Sequence, residues 1–376
     1  MIKCNKKKKI AWVTPDYFAD SDIKVVPSLS KFYDITWFII MPNKSRYRPE
    51  DFLTLEKNYK NLKVEIWHEL GRMRDPKNSI MNWKLGRRIK QENADVIYLN
   101  ISVGPWNLLM IPSINRKKAI VTAHQGQVHI GMAHKKMVNV LRRLWYGYFK
   151  NVNLFSKSQA ELFRQDYPSS NIYQFVFGLK DFGNISNERP LTGDVRFLSF
   201  GTINYTKSIE TLIDAACILY ERGIRGFKVS INGICKDWSW YQKRIKYPEI
   251  FETDIRMIEN SEIPNLFNGS HYLVQPYRVV SQSGPTKIAF NYNLPIIVSN
   301  LPGFMDELKE GVNGYSFERG DVESLAERMQ FLIKTHQDHY QELLDKMSAY
   351  TRENYSEENL VKRYSKMFTE VIYRCQ

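Results

Sequence analysis

HYLVQPYRVV SQSGPTKIAF NYNLPIIVSN LPGFMDELKE GVNGYSF, residues 271–317, decides how this chain is read. Tyr272 to Gln275 is a short apolar run of strand type, followed by the small-residue loop Ser281-Gln282-Ser283-Gly284-Pro285. A helix is predicted from about Pro285 to Tyr292, because proline at the first helical position has its φ already set and loses no hydrogen bond there. A second buried strand, Pro295 to Ser299, then a short helix near Asp306 and an Asn313-Gly314 turn complete the stretch. A loop-to-helix junction at the carboxyl end of a parallel strand offers backbone N–H groups to a phosphate or another anion. Taken alone, SxSG is more often an ordinary strand-to-helix turn. The order of elements around it carries the argument.

That order is strand, helix, strand almost throughout. Apolar runs occur at Ile10 to Thr14, Ile35 to Met41, Leu62 to Trp67, Val96 to Asn100, Ala119 to Ala123, Val152 to Phe155 and Tyr173 to Phe177. They are mostly continuous and rich in Val, Ile and aromatics, as strands covered on both faces are. Helical patterns lie between them, near Ser79 to Glu92, Ala133 to Phe149 and Ser158 to Asp166. The polar, turn-rich stretch at 184–194 reads as a linker between domains 1–183 and 195–355. Alternation then restarts with Val195 to Gly201, a helix Lys207 to Arg222, Phe227 to Asn232, a helix Trp238 to Tyr247, a strand Ile255 to Ile258 and a helix Ile263 to Asn268. The amphipathic tail at about 356–376 has no strand after it, so it is expected to pack back on the first domain. Two Rossmann-like, doubly wound α/β domains facing across a cleft are the simplest architecture.

The bulk numbers agree. A chain of 376 residues exceeds one ordinary core, and 43% hydrophobic with 13% aromatic residues excludes disorder. The four cysteines (Cys4, Cys217, Cys235, Cys375) are far apart, with no CxxC pair, so neither a disulfide framework nor a zinc site is expected and a cytoplasmic setting fits. The opening MIKCNKKKKIAWVTPDYF resembles the n-region of a signal peptide, but its apolar run stops at Val13, as a first core strand does. A net charge of +14 fits an anionic partner: nucleic acid, a membrane face or small anions. The sequence holds no zinc knuckle, RRM-type motif or helix-turn-helix, so nucleic acid is not the expected one. In Ala133 to Phe149, Lys135, Lys136, Arg142 and Arg143 flank Met137, Val140, Leu141, Leu144, Trp145 and Tyr148 at helical spacing. That pattern suits an anionic membrane surface, although a stripe between two strands is expected to pack on the sheet.

Several segments, in order, resemble the GT-B glycosyltransferases of retaining family 4, "group 1". Phe200-Gly201-Thr202-Ile203-Asn204-Tyr205-Thr206-Lys207 resembles the family's FGRxxxxKG, and Glu262-Ile263-Pro264-Asn265-Leu266-Phe267 its proline-initiated helix. Residues 271–308 resemble the PYRSxxQSG pattern of a subgroup of polysaccharide-assembly enzymes. Val121-Thr122-Ala123-His124-Gln125-Gly126-Gln127-Val128-His129 resembles TxHDPxPH, and Phe177-Gly178-Leu179-Lys180-Asp181-Phe182 resembles PHGxYDFF. The resemblance spans roughly residues 95–330. It departs from the family where the E-x7-E pair would stand, at Val280 and Ile288, and at Thr202, where an arginine is usual.

The resemblance implies a metal-independent hexosyltransferase acting on a nucleotide-diphospho sugar, with no other cofactor. Without a metal, the departing diphosphate is stabilised by backbone N–H groups and cations. Lys207 and His124 are the expected catalytic residues. Gly201, Thr202, Arg256, Ile258, Gln282, Ser283, Gly284, Thr286 and Lys287 are the expected donor-binding residues, with Lys287 compensating for the missing arginine. Gln125 and His129 are expected on the acceptor side. The acceptor implied is a glycan, lipid-linked as in surface polysaccharide assembly, with the protein peripheral on the inner face of a membrane. Two rival readings are a scaffold protein of a glycan-assembly complex with weakened catalysis, and a basic nucleic-acid-binding protein.

Overall fold

The computed structural model describes residues 7–45, 47–71, 75–128, 135–175, 177–186 and 189–375. The chain divides into two compact units, one of Met1–Gly178 with Ser356–Gln376 and the other of Leu179–Tyr355.

The first unit is built on seven parallel strands: β1 Lys9–Pro15, β2 Asp34–Met41, β3 Leu62–His68, β4 Val96–Leu99, β5 Ala119–Thr122, β6 Asn151–Leu154 and β7 Asn171–Gln174. Their order is β3-β2-β1-β4-β5-β6-β7, so the winding reverses between β1 and β4. Helices α1 Asp16–Asp22, α2 Val25–Leu29, α3 Pro49–Asn58, α4 Lys77–Glu92, α5 Lys135–Tyr148 and α6 Lys157–Asp166 make the crossovers, with a 3-10 turn at Trp106–Ser113. Strands β1, β2, β4 and β5 are buried at nearly every position, which is why they read as unbroken apolar runs. One face of the sheet packs Trp12, Trp37 and Tyr98 with α2, and the other packs Val13, Phe38 and Leu99 with α4 and α5.

The second unit has six parallel strands: β8 Val195–Phe200, β9 Phe227–Asn232, β10 Phe251–Asp254, β11 Tyr272–Gln275, β12 Ile296–Ser299 and β13 Gly314–Phe317. The order β10-β9-β8-β11-β12-β13 places the reversal between β8 and β11. Its helices are α7 Ile209–Glu221, α8 Trp238–Gln242, α9 Ile263–Asn268, α10 Gly284–Asn291, α11 Pro302–Met305 and the 34-residue α12 Val322–Tyr355. The apolar stripe of α7 (Ile209, Leu212, Ile213, Ala216, Leu219) is buried against the sheet together with Leu325 and Met329 of α12. Ser356 then caps the last helix, α13 Glu357–Tyr373, accepting from Asn359 N at 3.3 Å. Its Leu360, Tyr364, Met367, Phe368 and Val371 complete the core of the first unit.

Several details differ from the sequence reading: β7 starts two residues earlier than the expected Tyr173 to Phe177 and ends at Gln174, and α8 ends at Gln242 instead of Tyr247. The edge strand of the second sheet is Phe251–Asp254, four residues earlier than Ile255 to Ile258, and residues 255–259 are loop. Helix α7 starts at Ile209, because Lys207 ends a separate 3-10 turn (Tyr205–Lys207) and Ser208 sits at φ 49°. Ser186 and Arg189, in the stretch read as a linker, are tied to the second unit. Ser186 N and Oγ donate to Asn265 Oδ1 at 3.0 and 2.9 Å, and Arg189 donates to the carbonyls of Asn268, Tyr292 and Asn293.

Candidate functional site

In the second unit the loops after β8 and β11 diverge at the reversal of strand order, the place where open α/β sheets hold ligands. Strand β8 ends at Phe200, and Gly201 follows at φ +117°. A side chain at the neighbouring Gly233 (φ +140°) would stand 1.9 Å from the Gly201 carbonyl oxygen, so these two strand ends touch backbone to backbone. Only glycine accommodates both the conformation and the approach. Thr202 is exposed, at the edge of a cavity of about 670 Å³ that Asn204, Glu210, Lys236 and Trp240 also line.

The two loops are fastened to each other. Arg278 N donates to Thr206 O at 2.9 Å, its guanidinium donates to Tyr205 O at 2.7 Å, and it pairs with the buried Glu210 at 2.5 Å. Lys207 Nζ lies 3.7 Å from the centroid of the Tyr277 ring. A lysine held over an aromatic face loses rotamer freedom, which suits a fixed anion-binding cation.

Helix α10 begins at Gly284 with Ser283 as its cap: Ser283 Oγ accepts from Thr286 N at 3.3 Å. The same Oγ accepts from Gln275 Nε2 at 2.5 Å, and Thr286 Oγ1 donates to Gln275 Oε1 at 2.6 Å. Both hydroxyls therefore turn into the protein and are buried. This corrects the expectation that Thr286 is a donor to ligand, since its proton is spent on Gln275. Gln282, in the loop just before, keeps its Nε2 buried with no hydrogen-bond partner among the described residues.

Lys287 also departs from expectation. It is 2% exposed, with Nζ 2.5 Å from Glu307 Oε1 and 3.0 Å from the Tyr355 hydroxyl. Burial pulls its pKa down, and the Glu307 carboxylate opposes that pull. The residue braces α10 against the end of α12 and is not a phosphate ligand. The cation beside the α10 start is Lys180 instead: a Cβ placed on Gly284 would meet its Nζ at 3.4 Å. Lys180 and Arg278 are candidate site residues that the sequence reading does not single out. Both stand in motifs the resemblance had quoted, FGLKDF and PYR, which was the available signal.

Arg256 is paired with Glu262 (2.6 Å) and Asp254 (2.9 Å). The hydrogen bond from Arg256 holds the Glu262 carboxyl down at about 2, and Arg256 itself is pushed up. Together with Glu259 N, which donates to Glu262 Oε2 at 2.9 Å, this pairing fixes the backbone of the loop that includes the half-buried Ile258.

In the first unit, His124 stands two residues beyond β5. Its ring is stacked on Phe18 at 3.8 Å, with Phe155 and Phe177 at 5.5 and 5.9 Å. Nε2 is 3.0 Å from Asn100 Oδ1 and 3.3 Å from Thr122 Oγ1. Asn100 Nδ2 donates to Asp22 Oδ2 at 2.9 Å, an oxygen that also accepts from Trp12 Nε1 (2.8 Å) and Thr14 Oγ1 (2.7 Å). Burial pushes the Asp22 carboxyl up to about 6, although these donors pull the other way. The backbone at Gln125 and Gly126 is pinned by the buried Arg142, which donates to their carbonyls at 3.0 and 2.6 Å. His129 lies outside the described residues.

Helix α5 divides its apolar stripe. Trp145 and Tyr146 are buried, but Met137, Val140 and Leu144 are 41%, 55% and 53% exposed, beside the exposed Lys135, Lys136 and Arg143. The expectation that the stripe packs on the sheet holds for one side of the helix only. No helix among the described residues is long and apolar enough to cross a membrane.

Two parallel-sheet α/β units of seven and six strands, each with its own reversal of strand order, constitute the GT-B fold of glycosyltransferases. Residues 182–354 match the family model described as "Glycosyl transferases group 1". Among solved structures, a glycosyltransferase from Rickettsia africae is similar at 16% identity and TM-score 0.72, over 98% of this chain and 99% of that one. Sucrose-phosphate synthase from Thermosynechococcus elongatus is similar at 11% identity and TM-score 0.71, over 98% and 100%. Anabaena HepE, solved in complex with UDP and glucose, is similar at 13% identity and TM-score 0.71, over 96% and 99%. No curated protein sequence matches the chain.

Proposed function

We propose that the protein is a retaining, hexosyl-transferring enzyme of family 4, its QSG subgroup, that moves a sugar from a nucleotide-diphospho donor to a glycan acceptor. The observation that carries this reading is the reversal point between β8 and β11, where Lys207 lies over Tyr277, Pro285 stands beside Gly201, and Lys180 stands beside Gly284 at the start of α10. In transfer, the bond from the anomeric carbon to the diphosphate breaks and the acceptor hydroxyl takes its place. Negative charge gathers on the diphosphate as it leaves. Two ammonium groups and a helix start meet that charge without rearrangement, which is how preorganised sites lower barriers. Lys236, beside Thr202, supplies a cation near where the family motif carries arginine.

The acceptor we infer is lipid-linked, with the protein peripheral on an anionic membrane. The apolar ridge Met137–Val140–Leu144, bordered by Lys135, Lys136 and Arg143, supports that location, since such a helix face lies favourably in a headgroup layer. The test is a thermal-shift screen against UDP-, GDP- and ADP-sugars, followed by mass spectrometry of products from the donors that bind. A stabilising donor that is turned over supports the proposal. Absence of binding by any of them overturns it. Binding without turnover decides for the scaffold reading, which Val280 and Ile288 in the place of the acidic pair favour.

A further inference from the structure

The hydrogen bonds behind His124 leave little freedom in the direction of their protons. Thr14 Oγ1 accepts from two indole N–H groups, Trp12 at 2.9 Å and Trp37 at 3.2 Å. With both lone pairs used, its own proton goes to Asp22. Trp12 Nε1 can only donate. Asp22 Oδ2 is thus an obligate acceptor, and the amide of Asn100 must present its NH2 to that oxygen. The carbonyl end of Asn100 is then the end that faces His124. The second atom near Nε2, the Thr122 hydroxyl, donates its proton to Leu99 O at 3.3 Å and so also faces His124 as an acceptor. Two acceptors require a donor between them.

We propose that Asp22 is a positioning residue which, through Asn100, fixes His124 in the tautomer protonated at Nε2, so that Nδ1 carries the lone pair. Any hydrogen bond from the His124 ring to a sugar hydroxyl is then one that Nδ1 accepts, never one that it donates. That consequence for the reaction rests on the proposed function, but the tautomer itself does not. Asp22 is faced by Trp12 and Thr14 of β1, by Asn100 beyond β4, by Asp20 of its own helix, and by Tyr98 and Tyr364 of α13. No cation is among these groups, so hydrogen bonds alone set the arrangement. The stacked Phe18 ring holds the imidazole plane.

The test uses the full chain labelled with 15N-histidine at pH 7.5, where His124→Gln assigns the ring by loss of its signal. The expected result is the Nε2–H tautomer, with an N–H that exchanges at least about tenfold more slowly than that of the exposed His339, the factor a single buried hydrogen bond supports. Asp22→Leu and, separately, Asn100→Leu should remove that protection and let the Nδ1–H form appear. An Nδ1–H tautomer in the wild type overturns the proposal, as does unchanged protection in the folded variants. If Asp22→Leu does not fold, Asn100→Leu decides. With a turned-over donor, Asp22→Leu should lower kcat at constant donor KM, and should add nothing in the His124→Gln background. Additive losses would make Asp22 merely structural. Failure of every nucleotide sugar to bind would remove the proposed reaction and leave the tautomer measurement standing.

Discussion

Acidification should loosen the two units unequally, and His336 sets the size of the effect. This imidazole, on α12, is buried between His271 and the stacked Tyr340 ring at 4.6 and 4.4 Å. Burial, with His271 beside it, holds its pKa down at about 4 against an ordinary 6.5. Between those values the unfolded chain binds a proton that the folded chain refuses, so stability is lost as pH falls through 6.5 towards 4. At pH 5 the loss relative to neutral pH is about 2 kcal/mol from His336 alone. His271 is pushed the same way by burial and adds to it. Asp22 in the first unit has the opposite sign, because its raised carboxyl, at about 6, takes up a proton in the folded state first. Moving from pH 7 to 5 therefore stabilises the first unit by about 1 kcal/mol through Asp22. Hydrogen exchange by mass spectrometry at the two pH values, corrected for intrinsic rates, reads the units separately. Peptides from 195–355 should lose protection at pH 5 while those from the first sheet do not. In His336→Leu the difference should shrink by most of the His336 share. Equal behaviour of the two units, or a His336→Leu variant with the wild-type acid response, would refute the assignment.

Lys207→Ala should weaken nucleoside diphosphate binding about tenfold, with a smaller effect on the monophosphate, by titration calorimetry; this is the scale of one charge-assisted contact. Equal losses would place Lys207 away from the distal phosphate. Lys287→Met should cost about 3–5 kcal/mol in thermal unfolding by stranding the part-buried Glu307, and Glu307→Gln in the same chain should recover much of it, with nucleotide affinity of the folded variant unaltered. Turnover should survive excess EDTA: the one D-x-D in the sequence, Asp20-Ser21-Asp22, has Asp22 Oδ2 already filled by three donors. Loss of turnover restored by magnesium or manganese would contradict this. The protein should sediment with anionic vesicles at low salt and less at high salt, and Val140→Asp with Leu144→Asp should abolish the association. Unchanged binding by that variant would move the contact off α5.

The strands were legible wherever both faces are covered, since burial on two sides leaves only apolar residues. Strand β10 was misplaced because it is a sheet edge: Phe-Glu-Thr-Asp is part exposed and paired only with β9, whereas Ile255 to Ile258 offered the apolar signal without the pairing. The helix that opens at Gly284 was legible from its proline and serine. What those side chains bond to was not, because the partner, Gln275, lies at the end of the preceding strand and looks like any polar strand terminus. Lys287 misled for a related reason. A lysine is solvent-facing by default, and nothing near 287 in sequence announces Glu307 or Tyr355. The network behind His124 joins residues 12, 14, 22, 100 and 124, and only the fold puts them within reach.

The last helix gives the chain an unusual timetable. On the ribosome the seven strands of the first sheet emerge early, yet the residues that seal one of its faces (Leu360, Tyr364, Met367, Phe368 and Val371) are translated after the whole second unit. Until then Trp12, Tyr98 and Phe175 lack the side chains they pack against, with Tyr364 alone within 4.7–5.7 Å of all three rings. The nascent first unit is therefore exposed to aggregation and to chaperones for the time needed to make some 180 further residues. A stop codon placed just before Ser356 would spare every strand and still leave the amino-terminal half, not the carboxyl-terminal one, as the part that fails to mature.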